Sequence, residues 1–222
     1  MRGARCALRA CALPAALLML AGCGDPGLWA RWRAERGLAR AERLLARVQV
    51  NPRLAPESDV ARAAAACRRL VAEFPPAAWT GPAARSPLAR EVATASGHGA
   101  LALARLDALR GRTGAALEGY SRVRAEWSAV LPVALEAAVS RARLLEQNGR
   151  VDEAVAEWMG VAHDFPPADP QSGRPLPEVM DAPLFAARDR LARGERAAAE
   201  SLLRDAEEIW TDAAARERGR AE

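Results

Sequence analysis

The sequence predicts an all-α chain of helix-turn-helix units stacked into a short solenoid, and three observations carry that expectation. Half of the 222 residues are hydrophobic but only 5% are aromatic, and alanine runs such as Ala63 to Ala66 and Ala197 to Ala199 favour closely packed helices. Nowhere do β-branched and aromatic residues alternate with polar ones over a strand length. The third observation is a spacing that returns three times: a glycine, an alanine five residues on, and a bulky residue four after that. It stands at Gly111, Ala116, Tyr120, at Gly149, Ala154, Trp158 and at Gly194, Ala199, Leu203.

Asp25 followed by Pro26 reads as a cap and a first-turn proline, opening a helix that runs to about Val48. The stretch "NPRLAPES" breaks it, and Ser58 or Asp59 is expected to cap a second helix ending before Phe74 to Pro76. A loop rich in Pro, Gly and Ala leads to Ser86 and Pro87, which repeat the cap-then-proline signature ahead of a helix to about Arg110. Gly97 and Gly99 inside it mark weak points or close helix approaches. Beyond that, Gly111, Gly149 and Gly194 each end one apolar-periodic segment just before another begins. A glycine there takes the left-handed conformation that closes a helix. Between Asp164 and Asp181, five prolines and a Ser-Gly rule out continuous helix; such a loop is either functional or a plain exposed insertion.

The recurring unit resembles the tetratricopeptide repeat (TPR), with Ala104, Ala142 and Ala187 at the small position of the first helix and Pro166 at the terminal proline. The glycine spacings exceed the regular period of about 34 residues, so the resemblance is to a degenerate, TPR-like array. It implies a right-handed solenoid whose first helices line a groove. One groove-facing position falls six residues before each turn glycine and is held by Arg105, Arg143 and Arg188. A guanidinium ladder there suits carboxylates of a protein or peptide partner. The alternative is an ordinary solvated face, since Glu136 and Glu146 lie close to it.

The opening "MRGARCALRACALPAALLMLAGCGD" has a basic start, an apolar run too short to span a bilayer, and small residues before Cys23. Leu20, Ala21, Gly22 and Cys23 resemble the lipobox of bacterial lipoproteins at all four positions. The resemblance implies cleavage after residue 22, acylation of Cys23 and a lasting membrane tether. Gly24 in place of Asp points by the same resemblance to the periplasmic face of the outer membrane. The expected organisation is a signal over 1–22, a lipidated N-terminus with a first helical pair over 23–85, and a repeat region over 86–222 carrying the insertion at 164–181. Trp29 and Trp32 lie off the apolar stripe of Leu38, Ala41, Leu45 and Val48. Either they face lipid headgroups, or Gly37 rephases the helix and buries them; burial is the preferred expectation.

Every basic residue is Arg. Three of the 32 precede Cys23, and the rest nearly balance the 28 acids, so no nucleic-acid partner is expected. Cys67, among small apolar neighbours, is expected to be a core residue. His98 and His163 stand far apart without ligands at metal spacing, and no Gly-rich loop follows a strand. No enzyme, metal or cofactor is expected. These readings together predict a lipid-anchored, non-enzymatic interaction scaffold in envelope or outer-membrane assembly. The alternatives are an activator of a peptidoglycan enzyme and a self-associating structural protein.

Overall fold

In the computed structural model the described residues are 26–80 and 86–221, with side chains described as far as 211. Cys23, the residues before it that resemble a lipobox, Asp25, the expected cap of the first helix, and residues 81–85 of the loop lie outside them. The elements are α1 (Pro26–Val50), α2 (Glu57–Glu73), α3 (Pro76–Trp79), α4 (Pro87–Leu109), α5 (Thr113–Glu126), α6 (Leu131–Gln147), α7 (Val151–Asp164), α8 (Pro177–Met180), α9 (Ala182–Ala192) and α10 (Arg196–Ala221). Among the described residues there is no strand, only an isolated antiparallel bridge between Ala168 and Pro175.

Each turn glycine does what its spacing predicts. Gly111, Gly149 and Gly194 have φ of +71°, +70° and +77°. Around each, the next residue's N–H reaches back to the carbonyl five residues earlier: Arg112 to Asp107 (2.9 Å), Arg150 to Leu145 (3.0 Å) and Glu195 to Arg190 (3.0 Å). The glycine's own N–H bonds three residues back, at 2.9–3.0 Å. This paired closure satisfies carbonyls that a helix end leaves open and reverses the chain.

These reversals make hairpins α4–α5, α6–α7 and α9–α10, the turn after Asn51 makes α1–α2, and each hairpin packs on the first helix of the next. The core follows that order. Ala41, Leu45 and Val48 of α1 meet Val60, Ala63 and Cys67 of α2 and Leu106 of α4. Leu117, Tyr120 and Val123 of α5 join Leu101 of α4 and Val133 of α6, around Trp127. Val155, Trp158 and Val161 of α7 join Leu135 and Val139 of α6 with Val179 and Ala186. Helix α6 therefore faces two cores at once. The array is all-α, made of stacked helical hairpins in TPR-like order.

Small residues set the spacing between neighbours. Ala116, Ala142, Ala154 and Ala199 are fully buried, and Ala104 and Ala187 nearly so. Gly97 and Gly99 prove to be close approaches and not weak points. A Cβ on Gly97 would stand 2.6 and 2.8 Å from the Val133 methyls and 2.9 Å from Trp127 Cδ1, whereas one on Gly99 would meet the Leu70 side chain, 2.8 Å from its Cδ2 methyl and 3.4 Å from its Cγ. Gly97→Ala is therefore expected to destabilise the array by about 1–2 kcal/mol, because overpacking against a β-branched residue and an indole outweighs the helix-propensity gain of about 1 kcal/mol. Gly114, with open space around its Cβ position, gives the control: Gly114→Ala is expected to stabilise by up to about 1 kcal/mol. Thermal denaturation reads both, and equal shifts of the same sign would sink the packing argument.

Four expectations are corrected. Helix α2 begins at Glu57 with Pro56 before it and no side-chain cap, so Ser58 and Asp59 lie inside its first turn. Glu57 and Asp59 there favour the positive helix end by charge alone. The loop before Ser86 contains the short α3, whose Trp79 ring packs edge-on to Phe74 at 5.9 Å. Trp29 and Trp32 are 55% and 48% exposed. Gly37 does not rephase α1, because Ala34, Ala41, Leu45 and Val48 keep the packed stripe. Leu203 does not fill an inter-hairpin gap as Tyr120 and Trp158 do; it is exposed, since no described helix stacks beyond α10. Ser86 does cap α4 as expected, accepting from the Ala89 N–H at 3.1 Å, with Pro87 in the first turn.

Candidate binding face

Six residues back from each turn glycine, Arg105, Arg143 and Arg188 occupy one equivalent point on α4, α6 and α9, each just after the buried Ala104, Ala142 or Ala187. That offset puts them at the edge of the packed face. They do not form a ladder of free charges. Arg105 donates to Glu136 at 2.6 Å, and the other Glu136 oxygen lies 3.4 Å from His98 Nδ1. Arg188 donates to Glu146 at 2.8 Å and to Asp189 at 3.1 Å, its guanidinium 5.3 Å above the Phe185 ring. Both acceptors, Glu136 and Glu146, belong to α6, so the middle hairpin holds its neighbours on either side. Arg143, also on α6, is exposed and has no carboxylate partner among the described residues. The three-position pattern thus resolves into two paired arginines flanking one open one.

The carboxylates respond to these surroundings in opposite directions. The His98 hydrogen bond, helped by Arg105, holds Glu136 below the usual carboxylate range against the cost of its burial. Burial pushes Glu146 above that range, with the Asp189 carboxylate adding to it. The indole N–H of Trp158, donating at 2.5 Å, and Arg188 pull the other way. Glu146 therefore ties a core tryptophan to a surface arginine. Cys67 is fully buried and its thiol is raised to about 11, mainly by burial. It is a core residue and no nucleophile at neutral pH.

A second cluster escaped the sequence reading. Glu157 of α7 is only 9% exposed and accepts from Arg124 of α5 at 2.9 Å and from Arg141 of α6. Arg124 also reaches Asp164 and lies 5.6 Å over the Phe165 ring. One carboxylate thus joins three helices. Its signal in the sequence was an acid inside the buried run Ala154, Val155, Trp158 and Val161.

The insertion at 164–181 is a built turn. Asp169 accepts from the Gln171 N–H and the Ser172 hydroxyl, both at 2.8 Å, which holds its carboxyl below the usual range. The Asp169 carbonyl takes the N–H of Gly173, whose φ is +69°. Val179 then enters the core, and Met180 offers its carbonyl to the Trp210 indole at 2.8 Å.

No protein family matches the chain, and no curated protein matches it. Among solved structures it is similar to a kinesin light chain-like array of nearly identical TPR-like repeats from Podosopora anserina and to a point variant of that array. Each is 20% identical over 84% of this chain and 93% of the other, with TM-scores of 0.39 and 0.38. The fold described above rests on the hairpin packing itself.

Proposed function

We propose that this chain is a non-enzymatic scaffold of the bacterial cell envelope, tethered through acylated Cys23 to the periplasmic face of the outer membrane and holding a protein or peptide partner along its first-helix face. The arrangement around Arg143 supports this reading most directly. Three hairpins present equivalent arginines, two are fixed by α6 carboxylates, and the middle one is open to a partner's carboxylate. Bidentate pairing there would add specificity to a surface already held in register by its neighbours. The resemblance of Leu20 to Cys23 to a lipobox supports the tether, and Gly24 in place of Asp supports the outer membrane over the inner one.

Photo-crosslinking in envelope preparations tests the face. A crosslinker at position 143 is expected to capture one defined envelope protein. The same group at position 122, exposed on α5, is expected to capture none. Equal capture from both positions would remove the face from consideration. Palmitate labelling of the wild type and of Cys23→Ser tests the tether separately, with loss of label expected in the variant.

A further inference from the structure

We propose that the outer face of the first hairpin docks on an anionic lipid surface, its arginines meeting headgroup phosphates while Trp29 and Trp32 enter the interface beside them. The observation is a charge segregation that whole-chain bookkeeping conceals. Along α1, Trp29, Arg33, Arg36, Arg40, Arg43 and Arg47 succeed one another at steps of four, three, four, three and four residues. Such steps keep side chains on one face of a helix, here over roughly 27 Å at 1.5 Å per residue. The α1 glutamates, Glu35 and Glu42, fall on the other flank of the packed stripe. There Arg31 joins Glu35 at 2.8 Å and Glu91 of α4 at 2.7 Å.

Between α1 and α2 the stripe borders a groove of about 620 Å³, to which α2 adds Arg62 and Arg69 and in which, among the described residues, Glu73 is the one carboxylate. Glu73 engages Arg33, and Asp59 engages Arg62. Arg36 lies 5.1 Å over the Trp32 ring. Arg40, Arg43, Arg47 and Arg69 have no carboxylate partner among the described residues. A groove carrying that much uncompensated positive charge calls for a polyanion, by charge complementarity.

The tryptophans decide which polyanion. Trp29 and Trp32 form an exposed edge-to-face pair, centroids 5.5 Å apart, with Leu28 beside them at 51% exposure. Two half-exposed indoles beside arginines fit a membrane interface, where an apolar ring body is buried and its N–H stays wet. A free phosphate or a nucleic-acid backbone leaves Leu28 uncovered. The stripe also starts six residues after Cys23, so an acyl anchor there would bring α1 to the lipid. That last point rests on the tether proposed above; the charge and the indoles do not. Among the described residues no helix is long and apolar enough to cross a membrane, so the contact is one of surface docking.

The test uses a chain starting at Gly24, which carries no acyl group and keeps every residue of the four core clusters. It is sedimented with phosphatidylcholine vesicles, with or without phosphatidylglycerol, and its tryptophan emission is followed. Binding is expected to the anionic vesicles only, to weaken with salt, and to blue-shift the emission. Replacing Arg36, Arg40, Arg43 and Arg47 with Gln is expected to lower partitioning by roughly 100-fold or more, about fivefold per arginine. Trp29→Ser with Trp32→Ser is expected to abolish the blue shift and weaken binding roughly tenfold. All six positions are exposed, so the variants stay folded, as circular dichroism checks.

Equal binding to neutral vesicles, or a quadruple variant that binds like the parent, overturns the proposal. So does preference for duplex DNA, inorganic phosphate or an acidic peptide with the tryptophans uninvolved; that would assign the groove to a different anion. Failure here leaves the palmitate result at Cys23 standing, because no acyl group takes part.

Discussion

Trp158→Ala is expected to cost about 3–5 kcal/mol in urea or thermal unfolding, the range for emptying a fully buried aromatic position. Trp158 is 1% exposed, packs on Phe185 with ring centroids 4.8 Å apart, and donates its N–H to Glu146. Truncation leaves a cavity between α6, α7 and α9 and strips Glu146 of a donor while that carboxylate stays partly buried. The same repeat position is expected to give a graded series. Tyr120→Ala also empties a core position, 4% exposed beneath the next hairpin. Leu203→Ala is expected to cost less than about 1 kcal/mol, because its side chain is 38% exposed on the last helix. A Leu203 loss as large as that at Trp158 would mean that something covers α10, a second copy of the chain being the first to examine.

That series shows what a single sequence makes legible. The glycine, alanine and bulky residue recur because each answers a local demand: a positive φ, a close helix approach and a gap to fill. Local demands leave local signals, so the turns, the hairpins and the three buried alanines followed from spacing. Whether the bulky residue is covered depends on a neighbour many residues away, and nothing at Leu203 announces that the described array ends there. The same limit applied at Trp29 and Trp32. Their phase already placed them off the buried stripe, and expecting burial meant trusting Gly37 to rewind a helix that the spacing of Ala34, Ala41, Leu45 and Val48 keeps regular.

Charge was read less well, for a different reason. A near-neutral total hides the arginine stripe of α1, although its steps of four and three were open to inspection. Conversely, the equivalent positions of Arg105, Arg143 and Arg188 suggested a positive ladder. Pairing depends on which helix lies opposite, and α6 turned out to present Glu136 to one side and Glu146 to the other. Periodicity locates a charge on a helix; only the packing of helices supplies its partner.

Glu157 carries the other large effect. Glu157→Ala is expected to destabilise the array by about 2–4 kcal/mol at neutral pH, somewhat below the full range for breaking a buried pair. Arg124 and Arg141 retain about a quarter of their side-chain exposure, at 29% and 26%, and Arg124 keeps Asp164. The loss comes chiefly from stranding the Arg141 guanidinium, whose Nε is already buried without a partner, while Arg124 loses the more buried of its two carboxylates. A triple variant distinguishes this from lost packing: Glu157→Met with Arg124→Met and Arg141→Leu removes the charges together and is expected to recover to within about 1 kcal/mol of the parent. Recovery would mean that the cluster fixes how α5, α6 and α7 meet more than it adds to net stability. If Glu157→Ala is silent on its own, water reaches both arginines and the register of the middle hairpins rests on the glycine and alanine contacts alone.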